Sequence, residues 1–236
     1  KSLEEGDVLY AAKKFNQAEI LFPQSEWAPK SSLMASYAYY VQNYYTDAIS
    51  ELNRFIKIYK QDKNLDYAYY LLAICHYEQI VDETKDLQSI IEAQKYFKIV
   101  SINFPNTEYA LDSEFKLDLI DDILAAKEMY VGRYYLDKKK WISAINRFRN
   151  VVDNYETTAF TQEALHRLVE VHYILGLVDE AEKYAKLLGY NYKSSEWYEN
   201  SYIVFNQNYK KIKVNKKKEK DKESSKILKK FKSLFN

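Results

Sequence analysis

Glycine and proline are scarce, with four and three in 236 residues. Sheet-rich folds spend both at their hairpins, so their scarcity excludes a turn-dense β fold and leaves helices joined by short connections. The lone cysteine, Cys75, excludes an internal disulfide and any site built on several thiolates. It lies in the apolar run LLAIC, which reads as a buried, inert thiol. The three histidines are His76, His166 and His172. The last two are six apart and fall on different faces of a helix. No run approaches the roughly 18 apolar residues of a membrane span. A zincin helix motif, a Gly-rich phosphate loop and a nucleophile elbow are all missing. The pair Asp121–Asp122 sits in a charged helical stretch, where solvation accounts for it. The expectation is therefore no enzyme, no metal site and no cofactor.

Charge and aromatic residues are what the chain does have. The net charge of +1 hides an asymmetry, because residues 210–236 carry twelve Lys against Glu219, Asp221 and Glu223. An acidic body with a basic end is not the footprint of a nucleic-acid-binding domain. Tyrosine is abundant, at 24 residues. Its ring and wet hydroxyl suit half-buried helix seams and also peptide grooves.

A repeat organises the chain. Val8, Ala11, Phe15, Ala18 and Pro23 follow the tetratricopeptide spacing for the second helix of a pair. Tyr45, Ala48, Leu52 and Phe55 repeat it, with Lys60 in the proline position. Ala93, Phe97, Val100 and Pro105 come next, then Trp141, Ala144, Phe148 and Val151, with Glu156 where proline would stand. Val178, Ala181, Ala185 and Leu188 form a degenerate fifth. Steps of three and four keep these residues on one stripe. The alanine lets two helices approach, and the large residue fills the gap beside it. The fold expected is all-α, a tetratricopeptide-repeat superhelix of about five helix pairs, each pair burying its neighbour's apolar face.

The alanines are separated by 37, 45, 51 and 37 residues. The spacing places one insertion in the polar stretch Asp82 to Ser89. It places the other in a long helix from about Tyr109 to Asp137, roughly 40 Å long at about 1.5 Å per residue. First-helix partners are predicted over 32–42, 66–80 and 163–175, with Ser25, Asn106 and Thr158 as candidate caps. FPQSEWA at 22–28 and FPNTEYA at 104–110 read as one turn used twice. Most of the first repeat's first helix, and any targeting segment, are expected upstream of Lys1. The organisation expected is an N-terminal half over 1–107, a C-terminal half over 108–205 and a basic extension over 206–236. In that extension Ile227, Phe231, Leu234 and Phe235 recur at helical spacing among lysines. That pattern fits an anionic membrane surface, a partner groove or a solvated tail.

Helical-repeat stacks bind through extended faces. Aromatic candidates for a groove in the first repeats are Phe22, Trp27, Tyr37, Tyr40, Tyr67 and Tyr70. For each of them a packing role is the alternative.

Several strings outside the repeat signature carry a more specific likeness. FPQSEWA at 22–28, DYAYYLLA at 66–73 and YEQIVD at 77–82 resemble the BamD (ComL) family of outer-membrane assembly lipoproteins. LAAKEMYVGRYYLDKKKW at 124–141, AINRFRNVV at 144–152, EALHRLVEVHYILGLVDEA at 163–181 and LGYNYKSSEWYENSY at 188–202 continue it in order, closest to the alphaproteobacterial branch. The resemblance implies five repeats at the periplasmic face of the outer membrane. It implies anchoring by a lipid on an N-terminal cysteine, a role Cys75 inside its helix cannot fill. As partners it implies the last periplasmic POTRA domain of the insertase BamA, smaller lipoproteins of the machinery, and unfolded outer-membrane proteins. By matching motif, Tyr134, Tyr135 and Arg147 fall where the family meets the insertase. Arg147 offers a permanently charged fork for a partner carboxylate; a salt bridge to a neighbouring helix is the alternative. Phe22 and Pro23 fall where the family is proposed to take a targeting signal. The basic extension departs from the family's short ends. The competing reading is another periplasmic tetratricopeptide adaptor of the cell envelope.

Overall fold

The computed structural model describes residues 7–80, 87–193 and 195–206. Among these the chain is helical, with ten helices and no strand. They are α1 (Val8–Leu21), α2 (Trp27–Val41), α3 (Tyr45–Ile58), α4 (Leu65–Tyr77), α5 (Gln88–Asn103), α6 (Glu108–Asp137), α7 (Trp141–Asn154), α8 (Thr161–Ile174), α9 (Val178–Asn191) and α10 (Glu196–Phe205). The five helices expected to carry the repeat signature are α1, α3, α5, α7 and α9. Four of them open on the signature's first residue: Val8, Tyr45, Trp141 and Val178. The polar insertion expected at Asp82 to Ser89 falls largely outside the described residues, as does the basic extension beyond Asn206. A helix at Glu196–Phe205 was not among the expectations.

Two compact units divide between Leu124 and Ala125, inside α6. The long helix thus gives its first half to one unit and its second half to the other, whereas the sequence pattern placed the division at its start.

In unit 1, α1 to α4 pack in sequence and α4 packs on α5. The core gathers Leu33 from α2, Ala48, Leu52 and Phe55 from α3, and Ala68, Leu71, Leu72 and Cys75 from α4. Cys75 is buried, and burial pushes its thiol up to about 12, with Glu78 adding to the effect. In unit 2, Ala125 and Met129 of α6 meet Ala144, Ile145, Phe148 and Val151 of α7 and Ala164, Leu168 and Val171 of α8. The signature's small residue is what allows this approach. Ala48, Ala93, Ala144 and Ala181 are fully buried, and so are Leu52, Phe97 and Phe148 four residues on. Gly132 takes the same logic further, since a Cβ on it would lie 2.5 Å from the Phe148 ring.

Two kinds of turn join the helices. Within pairs, the chain turns on one left-handed residue five before the signature alanine: Asn43 (φ 62°), Lys139 (φ 57°) and Gly176 (φ 77°). Each is bracketed by paired backbone bonds, for example Asn43 N to Tyr40 O at 2.9 Å and Tyr44 N to Tyr39 O at 3.0 Å. That is a Schellman closure, in which Gly or Asn is usual and Lys is not.

Between pairs, an aromatic residue eleven past each signature alanine closes the helix: Phe22, Tyr59, Phe104, Tyr155 and Tyr192. Its N–H donates to the carbonyl of the signature's last position, Ala18, Phe55, Val100, Val151 or Leu188. Its own carbonyl then accepts from a small polar residue three on: Ser25, Asp62, Thr107, Thr158 or Ser195. The turn seen twice in the sequence is therefore used five times.

This register corrects two of the expected caps. Ser25 Oγ does accept from Trp27 N at 3.2 Å. Thr107, not Asn106, caps α6, accepting from Ala110 N at 3.2 Å, because the polar position lies three residues after Phe104. The Thr158 hydroxyl turns back to donate to Tyr155 O at 2.8 Å and makes no cap for α8.

Candidate functional site

Unit 1 carries an open groove of about 810 Å³. One stripe of α2 builds one wall: Trp27, Lys30, Leu33, Met34 and Tyr37, spaced at three and four residues. Asp62, Lys63 and Asn64 of the α3–α4 turn, Tyr67 of α4 and Tyr109 of α6 complete it. The turn is stiffened by Asp62, whose Oδ1 accepts from both Asn64 N and Asn64 Nδ2 at 2.8 Å. Trp27 is 59% exposed, with the Lys30 ammonium 5.0 Å from its ring centroid. The Tyr67 and Tyr109 rings lie 5.4 Å apart. Burial pushes the Tyr67 phenol well above its ordinary value, so it stays a neutral hydrogen-bonding group. The lining holds two acids, Glu26 and Asp62, and two bases, Lys30 and Lys63, beside apolar and aromatic surface. The lining charges balance, and apart from Asn64 the rest of the surface is apolar and aromatic.

Three of the seven residues singled out in the sequence line this groove: Trp27, Tyr37 and Tyr67. Phe22, 66% exposed, and Pro23 stand in the turn ahead of α2, outside the lining. Tyr40 packs between Tyr37 and Tyr45, with centroids at 6.3 and 6.2 Å. Tyr70 donates to Asp112 Oδ2 at 2.7 Å and stacks near Tyr109 at 5.1 Å, so it braces Tyr109 from behind. Lys30, Met34, Lys63 and Tyr109 were not singled out. Stepping three and seven residues along α2 from Trp27 would have reached Lys30 and Met34.

A half-buried ion pair ties α1, α2 and α3 together. Glu19 of α1 is buried and accepts from Arg54 Nη1 and Nη2 at 2.9 and 2.6 Å and from the Tyr59 hydroxyl at 2.7 Å. Arg54 also donates to Ser32 of α2 at 3.0 Å and to Glu51 at 3.0 Å. Burial pushes the Glu19 carboxyl up, but the donors from Arg54, Tyr59 and Ser32 outweigh it and hold it below the usual range.

In unit 2, Tyr134 is 52% exposed, and its ring lies 5.7 Å from that of Tyr135, which is half-buried against the core. Arg147 Nη1 donates to both oxygens of Glu128 at 3.1 and 3.2 Å, with its side chain still 44% exposed. The salt bridge that stands as the alternative therefore forms, with the Arg147 side chain still partly exposed.

The α8 helix carries a denser network. Arg133 and Arg167 share Glu163, Arg167 reaches Glu170 at 2.7 Å, and His166 Nδ1 meets Ser201 Oγ at 2.9 Å. His172 Nδ1 donates to Leu168 O at 2.7 Å, facing α9 through Tyr184 while His166 faces α10 through Trp197. Among the described residues no group of three or more His, Cys, Asp or Glu is placed to hold a metal. No described helix is long and apolar enough to cross a membrane.

The model of the YfiO family, outer membrane lipoprotein, matches residues 1–187. The outer membrane protein assembly factor BamD of Caulobacter vibrioides is 41% identical over 206 residues, 87% of this chain and 68% of that protein. The BamD of Rickettsia prowazekii is 43% identical over 205 residues, 84% of this chain and 82% of that protein. The crystal structure of MamA aligns at a TM-score of 0.39 and 18% identity, over 89% of this chain and 95% of that one.

Proposed function

The chain belongs to the YfiO family of outer membrane lipoproteins, and from that premise we propose that it is a non-enzymatic scaffold for assembling outer-membrane proteins. Its nearest work is binding. The groove in unit 1 takes an extended, aromatic-bearing segment of an unfolded outer-membrane protein. The face of unit 2 that carries Tyr134, Tyr135 and Arg147 holds a POTRA domain of the insertase, beside smaller lipoproteins of the same machinery. The chain works at the periplasmic face of the outer membrane, held there by a lipid.

The observation that carries the substrate half is the exposed Trp27 over a cleft walled by Tyr37, Tyr67 and Tyr109. A large aromatic ring left in water at the mouth of a formed groove is the usual anchor of a binding hot spot. The test is titration with a fluorescent peptide ending in an aromatic residue, such as ends a barrel strand. Trp27→Ala weakens binding at least tenfold. Equal affinity for the variant and wild type would sink this site.

For the insertase half, Arg147→Glu abolishes capture by the POTRA domains. Because Arg147 also pairs with Glu128, the charge-swapped double variant Glu128→Arg/Arg147→Glu is the control. It restores the internal pair and does not restore capture.

A further inference from the structure

The first half of α6 leaves a row of large apolar side chains in water. Leu111, Phe115 and Leu119 are 60, 62 and 49% exposed. They recur every four residues, so they stand on one face of the helix, each above the last. Ala110, Ser113 and Ile120 are buried on the other side. One exposed leucine is ordinary, whereas an aligned row of three large side chains is the pattern of a contact face. The row is separate from the groove, whose lining takes only Tyr109 from this helix.

The charges around the row indicate what it meets. Between Glu108 and Leu124 six carboxylates accompany one cation, Lys116. The Lys116 ammonium lies 5.1 Å from the Tyr77 ring centroid and so is turned toward α4. Three of the carboxylates are engaged inside unit 1. Asp112 accepts from the Tyr70 hydroxyl, Glu114 from Ser101 Oγ at 3.2 Å and Asp121 from Gln94 Nε2 at 2.9 Å. The other three, Glu108, Asp118 and Asp122, have no ion-pair or hydrogen-bond partner among the described residues. Glu108 stands three residues before Leu111 and Asp122 three after Leu119. Unspent carboxylates therefore close both ends of the row, and Asp118 edges it between them.

We propose that this face docks an amphipathic helix of a partner protein, one whose apolar row is flanked by Lys or Arg. Such a helix covers Leu111, Phe115 and Leu119 with its own apolar side chains. Its cations meet the three carboxylates that unit 1 leaves unused, which sets register and speeds encounter. The same charges count against the other occupants of an apolar helix face. A second copy of this chain would set carboxylate against carboxylate in either helix orientation, and an anionic membrane surface would be repelled. This surface goes beyond the proposed function and depends on neither the groove nor the face of Tyr134.

The test is fluorescence anisotropy with the full chain and a labelled, helix-stapled peptide that carries leucines on one stripe and lysines on both flanks. The expected result is saturable binding that weakens at least threefold when salt rises from roughly 0.1 to 1 M. Phe115→Ser weakens binding at least tenfold, and so does Leu111→Ser/Leu119→Ser; all three positions are exposed, so the fold is kept. Asp118→Asn/Asp122→Asn weakens it at least threefold and flattens the salt dependence. Several results would overturn the proposal. One is the absence of saturable binding. Another is equal affinity for a peptide with Glu in place of Lys, or for one whose leucines are scattered around the helix. Displacement by the aromatic-ended peptide of the groove titration would place the helix in the groove instead. Self-association of the chain, or attachment to phosphatidylglycerol vesicles, that is lost in Phe115→Ser would assign the row to a second copy or to a membrane.

Discussion

The first helices of the two units answer the same packing problem with different chemistry. In unit 1, α2 and α4 present tyrosines over small residues, and several rings line or brace an open cleft. In unit 2, α8 occupies the equivalent place in its pair but carries Glu163, His166, Arg167, Glu170 and His172. Nearly all of these spend their hydrogen bonds on one another or on neighbouring helices. A phenol ring can stabilise a fold and still offer a face to a ligand. A charge satisfied inside the protein has little left to offer, and breaking it is costly. The difference therefore separates a surface kept available from a network that is consumed in holding helices together.

The sharpest way to break unit 2 is at its closest approach. Gly132→Val drives side-chain atoms into the Phe148 ring, and overpacking of this kind costs about 3 kcal/mol; Phe148→Ala costs about 3–5 kcal/mol. Denaturant melts check both. Gly132→Ala combined with Phe148→Leu should cost less than the sum of the single changes, because the two share one contact.

Unit 1 breaks next most readily at Glu19. Glu19→Ala strands Arg54 and costs about 3 kcal/mol, held to the low end by the exposure of Arg54. Acid adds a signature. Glu19 has a folded pKa below its ordinary value, so its contribution is complete above the unfolded value of about 4.3. That contribution is lost as pH falls through the folded value. Glu170 behaves alike: burial raises it, and bonds from His166 and Arg167 lower it further than burial can offset. Melts from pH 6 to pH 3 should show the gap between wild type and Glu19→Gln closing toward the acid end. A constant gap would mean Glu19 is not the titrating group.

Trp27→Ala should act the other way round from these core changes. Stability shifts by no more than about 0.5 kcal/mol, as at an ordinary exposed position, while peptide affinity drops. The smallest effect expected is Lys139→Gly, a gain of up to about 1 kcal/mol from relieving a left-handed non-glycine residue, offset in part by glycine's chain entropy.

Periodicity made the second helices readable in the sequence, because the alanine and the large residue are forced by close packing and recur at fixed steps. The groove was readable only in outline. Trp27, Tyr37 and Tyr67 were found by residue type, but Tyr40 and Tyr70 share that type and spend their rings on Tyr45, Phe97 and Tyr109. Which side of a helix meets its neighbour decides this, and a tyrosine is equally at home on either. Arg147 shows the same limit, since a single sequence cannot pair it with Glu128 nineteen positions away. Polarity and position point to Asn106 as a cap, whereas the register of the turn selects Thr107.

That register has a consequence for how such a chain can change length. The aromatic residue stays eleven positions past its alanine in all five cases, while the alanines drift apart by 37 to 51 residues. Every added residue therefore enters between one turn and the next signature, within the first helix or the loop beside it. Insertions there leave undisturbed the joint that docks one pair to the next. Growth of the chain and integrity of the stack are assigned to separate stretches, so each can be altered without repairing the other.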